Sequence, residues 1–200
     1  MNFAIVGISG KALSGKSTAH KAITELMKTK ESCKDYRVIY SPLAEKLKEI
    51  CTDLFDWDGD KGLYYNEDGS LKQDKGRQLL INVGTNKLRE IRPTVWVDYV
   101  AKKIMKNIQN TEYNNTIFII DDIRFRNEME TLAKFGKKFV SIRLSRKSQL
   151  NLETESEIDL DGYTEFDYFL DNNGTVEDLG ILLDQVIDDV ISRSKGRVHA

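Results

Sequence analysis

The chain has 200 residues, 40% of them hydrophobic and 31% charged, with 30 basic against 32 acidic side chains and a formal net charge of −2. That length suits one sizeable domain, and the near-balance of charge argues against nucleic acid as a partner, since duplex binders carry a basic excess. Two cysteines, Cys33 and Cys51, exclude a disulfide framework or a metal quartet and read as core thiols in a reducing compartment. No apolar run approaches membrane-spanning length, and the N-terminus lacks the basic start and long apolar stretch of a signal peptide. A cytoplasmic location with no membrane partner is therefore expected.

In chain order, Asn2–Ile8 reads as a short buried strand, and Gly15–Lys30 as a helix with Ala19, Ala22, Ile23, Leu26 and Met27 on one face. Tyr36–Tyr40 is a second strand and Ala44–Phe55 a second helix. Asp56–Lys75 is polar, turn-rich and without a clear period. Arg77–Leu88 and Thr94–Ile108 both show helical spacing. Thr116–Ile120 is a third strand, Asn127–Phe135 a helix and Lys138–Leu144 a fourth strand. Ser145–Gly162 is polar and acidic, Phe166–Leu170 reads as a fifth strand, and Val176–Arg193 as an amphipathic closing helix. Alternating strands and helices predict an α/β fold: a parallel sheet of about five strands with helices on both faces.

Gly10 to Ser17, GKALSGKS, satisfies G-x-x-x-x-G-K-[ST] with a strand before it and a helix after it. Glycines let backbone N–H groups approach phosphate oxygens, and the helix presents its positive end to the same anion. Gly10, Lys11, Ser14, Gly15, Lys16, Ser17 and Thr18 are the expected contacts for ATP. Lys16 would reach the β- and γ-phosphates, and the Ser17 hydroxyl would join a Mg2+ shell. TIFIIDD places Asp121 and Asp122 at the carboxyl end of a strand, the edge where open parallel sheets bind ligands. Either aspartate can steer the metal.

Other phosphate-loop classes fit less well. A GTPase pairs the loop with D-x-x-G and N-K-x-D; Asp56–Gly59 matches the first weakly, but Asn86-Lys87-Leu88-Arg89 has arginine where the guanine-reading aspartate belongs. Asp56, Asp58, Asp60 and Glu67 imitate a calcium loop, yet Lys61 occupies the position that needs glycine. A small kinase remains, and its marks are arginines: Arg77, Arg89, Arg92, Arg124, Arg126, Arg143 and Arg146 all fall at element ends or in loops. Guanidinium forks suit phosphate groups.

Several ordered stretches then resemble the phage-type deoxynucleoside monophosphate kinases, within the wider P-loop nucleotide and small-molecule kinases. They are SPLAEKLKE (Ser41–Glu49), GRQLLINVGTNKLREIRPTVWVDYV (Gly76–Val100), IIDDIRFRNEME (Ile119–Glu130), and TESE with FDYFLDNNGTVEDL. The resemblance implies a single P-loop kinase domain with an acceptor region over 41–110 and a mobile lid over 145–162. It implies an acceptor nucleotide site with Leu43, Lys48, Arg77, Gly84, Thr85, Arg89 and Trp96, completed by Asp122, Arg124 and Glu128. It also implies a catalytic set of Lys16, Asp122, Arg124, Arg143 and Arg146, with Ser17 and Asp122 on the metal. The chain departs from the family at Arg126, often proline there, and at Thr154, often histidine. The expected partners are ATP with Mg2+ and a deoxynucleoside monophosphate, with a homodimer admitted. Rival readings are the same fold acting on another phosphorylated metabolite, of phosphomevalonate or dephospho-coenzyme A type, and a nucleotide-binding switch that transfers nothing.

Overall fold

The structure is a computed structural model that describes residues 2–59, 75–110, 114–147 and 154–196. Most of the polar stretch after Asp56, with Asp60, Lys61 and Glu67 of the calcium-like pattern, lies outside the described residues, as does 148–153 of the expected lid. The chain forms two compact units: residues 1–42 with 100–200, and Leu43–Tyr99.

The first unit is built on five parallel strands in the order β2-β3-β1-β4-β5. They are β1 (Phe3–Gly10), β2 (Arg37–Tyr40), β3 (Thr116–Ile123), β4 (Phe139–Ser145) and β5 (Tyr168–Asp171). β1 is central, with Val6 opposite Ile119 on one side and Val140 on the other. A strand covered on both faces can be apolar at every position, which is why FAIVGI and TIFII show no alternation. On one face Ala4, Val6, Ile8, Ile117, Ile119, Val140 and Ile142 pack with Ala19, Ile23 and Met27 of α1 (Lys16–Thr29) and Leu183, Val186, Ile187 and Val190 of the last helix, Val176–Ser194. The alternate residues Ile5, Phe118 and Ile120 are equally inaccessible. Cys33 is buried in the first core and Cys51 in the second unit, as expected of core thiols.

The last helix starts where its sequence says it should. Thr175 accepts from the Asp178 N–H at 3.2 Å, and Asp178 accepts in return from the Thr175 N–H at 2.9 Å. This reciprocal cap satisfies two end donors. Two strands run further than apolar content predicts. β1 continues through Ser9 and Gly10 into the phosphate loop, and β3 through Asp121 and Asp122 to Ile123. Their carboxyl ends therefore carry polar groups on rigid backbone. No helix of the described residues is long and apolar enough to cross a membrane.

In the second unit, α2 (Glu45–Phe55) and α3 (Lys75–Leu80) precede a seven-residue π-helical stretch, Ile81–Lys87, then α4 (Leu88–Ile91). The helical spacing read over Arg77–Leu88 is met by helix throughout, but Ile81–Lys87 winds wider than an α-helix. It coincides with packing that periodicity does not encode. A Cβ on Gly84 would collide with Leu47 of α2, and the Gly84 carbonyl accepts the Trp96 indole N–H at 3.1 Å. α5 (Val95–Ile108) begins in this unit, which ends at Tyr99, and its first turn is held by Asp98, which accepts from Thr94 Oγ1 at 2.7 Å and pairs with Arg92 at 2.6 Å. Beyond β3 come α6 (Arg126–Ala133) and the short α7 (Glu155–Ile158), with the closing helix as α8.

Candidate active site

The phosphate loop hangs between the end of β1 and the start of α1. Leu13 takes φ 62° and Gly15 φ 97°, both left-handed, so one of the two tight bends falls on a residue with a Cβ. Gly10 admits no side chain, because a Cβ there would lie 2.7 Å from the Leu144 carbonyl and closer still to Ser14. With glycine as the N-cap, α1 has no capping side chain, and its first-turn amides are left for an anion. Ser17 and Thr18 stand in that turn, Ser17 exposed.

Lys16 arcs over the loop, and its ammonium donates to the Gly10 and Lys11 carbonyls, both at 2.7 Å. Burial lowers its pKa to about 8, and the Arg124 guanidinium adds to that; Glu157 and Asp121 act in the opposite direction. The loop is braced from behind by Asn172, just past β5. Its side-chain amide donates to the Ser14 carbonyl at 3.0 Å, and Gly15 leaves the room that this amide fills. The Ser14 hydroxyl is buried with no partner among the described residues.

Three further cations gather at this loop. Arg124, just beyond β3, points Nη1 at Glu157 Oε1 (2.5 Å) and at the Gly10 carbonyl (3.4 Å). Arg143 on β4 donates to Ser9 Oγ at 2.9 Å and pairs with Asp161 at 3.1 Å. Lys11 reaches the same Asp161 at 2.8 Å. Arg146 lies exposed just past β4.

Glu128 needs a correction. The sequence reading gives its carboxylate to the acceptor nucleotide, but it is 1% exposed, and Oε2 accepts from the backbone N–H groups of Arg124 (2.7 Å) and Phe125 (3.0 Å). It anchors the start of α6 and the backbone of Arg124. Of the two aspartates, Asp121 is the one whose carboxylate reaches α1: it accepts from Tyr40 Oη at 2.7 Å and lies 3.7 Å from His20 Nδ1, while Asp122 is half-buried. His20 stacks on Tyr40 at 4.0 Å, and burial lowers its pKa.

In the second unit the sequence-derived acceptor residues divide. Leu43, Gly84 and Trp96 are buried, Trp96 only 5% exposed, so its ring is a core element there. Lys48, Arg77, Thr85 and Arg89 are half-buried, and Arg89 donates to the Pro93 carbonyl at 2.9 Å. Sequence reasoning missed Glu157, Asp161, Asn172 and Tyr40. Three of these lie in or beside stretches quoted for the family resemblance, but nothing local marks an Asn or Glu as a brace for a loop over a hundred residues away.

An all-parallel α/β sheet whose first strand runs into a lysine-bearing phosphate loop ringed by arginines defines a P-loop phosphotransferase. The sequence model for deoxynucleotide monophosphate kinases matches residues 74–181, more than half of the chain, and the chain belongs to that family. The match begins after the phosphate loop, so the loop motif and the family pattern are independent of each other. In fold the chain is similar to a sugar kinase from Janibacter sp. HTCC2649, with 12% identity, a TM-score of 0.51 and coverage of 98% of this chain and 99% of that one. A gluconokinase from Sinorhizobium meliloti 1021 aligns at a TM-score of 0.45 and 11% identity, over 96% of this chain and 92% of that one. No curated protein sequence matches the chain significantly.

Proposed function

We propose that this kinase transfers the γ-phosphoryl group of ATP to a deoxynucleoside monophosphate, giving the diphosphate. The observation that carries the reading is the convergence of Lys11, Lys16, Arg124 and Arg143 on one phosphate loop, in a chain of this family. Lys16 and the amides of the loop and first turn of α1 hold the donor phosphates, with Gly10, Ser14, Gly15 and Thr18 shaping the cradle. Arg124 and Arg143 neutralise charge as it spreads over the transferring group, and Arg146 assists from the flap side. No strong base is required, because a phosphate monoester acceptor is already ionised near neutral pH; the work is positioning and charge stabilisation.

Ser17 and the aspartates at the end of β3 are hard oxygen donors of the kind Mg2+ takes. Asp121 reaches toward the helix that carries Ser17, so we assign the metal side to Ser17 and Asp121, and leave Asp122 to align the acceptor oxygen. Bound with ATP, Mg2+ would neutralise phosphate charge. For the acceptor's phosphate we assign Lys48, Arg77 and Arg89, three half-buried cations of the second unit, with Thr85 as a hydrogen-bond donor. Described residues 154–162 of the expected lid are acidic and hydrogen-bonded to the phosphate loop at Ala12 and to the start of α6 at Arg126; as a lid they would keep water from the donor.

A panel of deoxy- and ribonucleoside monophosphates, with other phosphorylated metabolites, scored by ADP release from ATP, tests the proposal. Stimulation confined to deoxynucleoside monophosphates is expected. Stimulation by a different phosphate ester alone would move the assignment to another acceptor. In the same assay Lys16→Ala should abolish turnover in a folded protein, and an undiminished rate would refute the loop assignment.

A further inference from the structure

Glu157 sits where an anion belongs. It projects from α7, its side chain is 4% exposed, and its two oxygens are taken by different donors of the phosphate cradle. Oε1 takes the Arg124 guanidinium at 2.5 Å, and Oε2 takes the backbone N–H of Ala12, inside the phosphate loop, at 2.8 Å. A guanidinium and a loop amide are the donor pair a phosphoryl group would use. The same segment repeats the arrangement four residues on, where Asp161 spans Lys11 at 2.8 Å and Arg143 at 3.1 Å. The segment is also pinned between these two carboxylates. The Arg126 backbone N–H donates to Asp159 Oδ2 at 2.6 Å and its Nε to the Asp159 carbonyl at 2.9 Å. A proline at 126 has no N–H to make the first of these bonds.

We propose that Glu157 is an internal counter-anion of the phosphate cradle, which the polyphosphate of an incoming nucleotide displaces. This rests on the ATP-binding reading above. The argument turns on hydrogen count. Arg124 has five N–H donors and can serve a carboxylate and a phosphate together, but the Ala12 amide has one hydrogen. A phosphate oxygen that takes this amide must evict Glu157 Oε2, and a carboxylate left beside a polyphosphate in a poorly solvated site is repelled by it. The cationic loop is thereby neutralised while no nucleotide is bound, and part of the nucleotide's binding free energy goes into breaking an internal pair.

Glu157→Gln removes the competing charge while keeping the size of the side chain. Titrating wild type and variant with ATP, with inorganic tripolyphosphate and with adenosine separates the possibilities. The variant should bind ATP and tripolyphosphate about tenfold more tightly, the worth of one hydrogen bond to a charged group. Adenosine affinity should not change, and Glu157→Asp, which retains the charge, should stay within about threefold of wild type. Unchanged or weaker polyphosphate binding in Glu157→Gln, with a fall in kcat, would overturn the proposal and make Glu157 a fixed positioning partner of Arg124. Failure of the wild type to bind either polyphosphate would instead overturn the phosphate-loop reading beneath it.

Discussion

Replacing Asn172 by alanine tests whether the phosphate loop is held in shape from the far edge of the sheet. Asn172 is 6% exposed, and its side-chain amide gives the Ser14 carbonyl a hydrogen bond at 3.0 Å. Its own backbone N–H, bonded to the Ser145 carbonyl at 2.8 Å, is untouched by the substitution. The loss is therefore one buried acceptor left unsatisfied plus the packing against Gly15, together about 2 kcal/mol. For a protein of this length each kcal/mol lowers Tm by roughly 2–4 °C, so a drop of about 4–8 °C is expected by thermal melt. With Ser14 and Gly15 released, the amides lose their preorganised direction, and ATP affinity should fall while the acceptor KM does not. Asn172→Asp is the sharper variant: nearly the same size, it sets carboxylate oxygen against carbonyl oxygen and should cost more than alanine on both readouts. Melting temperatures within about 1 °C of wild type and unchanged ATP affinity in both variants would refute the brace.

Three further outcomes follow from the geometry. Lys16 has a pKa of about 8 in the free protein, and phosphate binds its charged form, so ATP affinity should weaken as pH rises through 8, by about tenfold between pH 7 and pH 9. Binding then takes up a proton, visible in calorimetry as a buffer-dependent enthalpy; a flat affinity profile, or the same slope in Lys16→Met, would contradict it. Gly84→Ala should destabilise by about 1–3 kcal/mol, because its methyl meets Leu47. In an unobstructed helix the same change stabilises, so an unchanged or raised Tm would show that Leu47 yields freely. Arg124→Ala should lower kcat far more than ATP affinity, and a pure KM effect would contradict a transition-state role.

The parts legible from sequence are those in which neighbouring residues settle the matter among themselves. The phosphate loop is one: glycines at its two ends, a lysine at the helix start and an apolar strand before it are contiguous, and their backbone demands are met locally. The reciprocal cap of Thr175 and Asp178, the apolar faces of α1 and α8 and the five strands of the sheet belong to the same class. The sequence ends β3 at Ile120 because Asp121 and Asp122 look like a turn in isolation, whereas β1 pairs with the strand on both sides of them, Gly7 with Ile120 and Ser9 with Ile123, and carries it through a break in register. The helical spacing of Arg77–Leu88 is legible, but it carries no record of Leu47 lying where a Cβ on Gly84 would be.

Direction and partnership came only from the tertiary structure. The hydrogen-bond inventory of Glu128 is the same whether it faces a nucleotide or the backbone of Arg124; where β3 and α6 meet turns it inward. Nothing in TESE says that Glu157 will reach a loop amide 145 residues away, and nothing in LDNNG says that Asn172 will brace Ser14. Such pairs depend on strand order, since placing β1 between β3 and β4 brings the phosphate loop, Arg124 and Arg143 to one edge. Local sequence determines which groups are available and what charge they carry. Which donor meets which acceptor is decided when the sheet closes up, because a hydrogen bond needs atoms within about 3 Å, and only the assembled fold sets distances between segments so far apart in the chain.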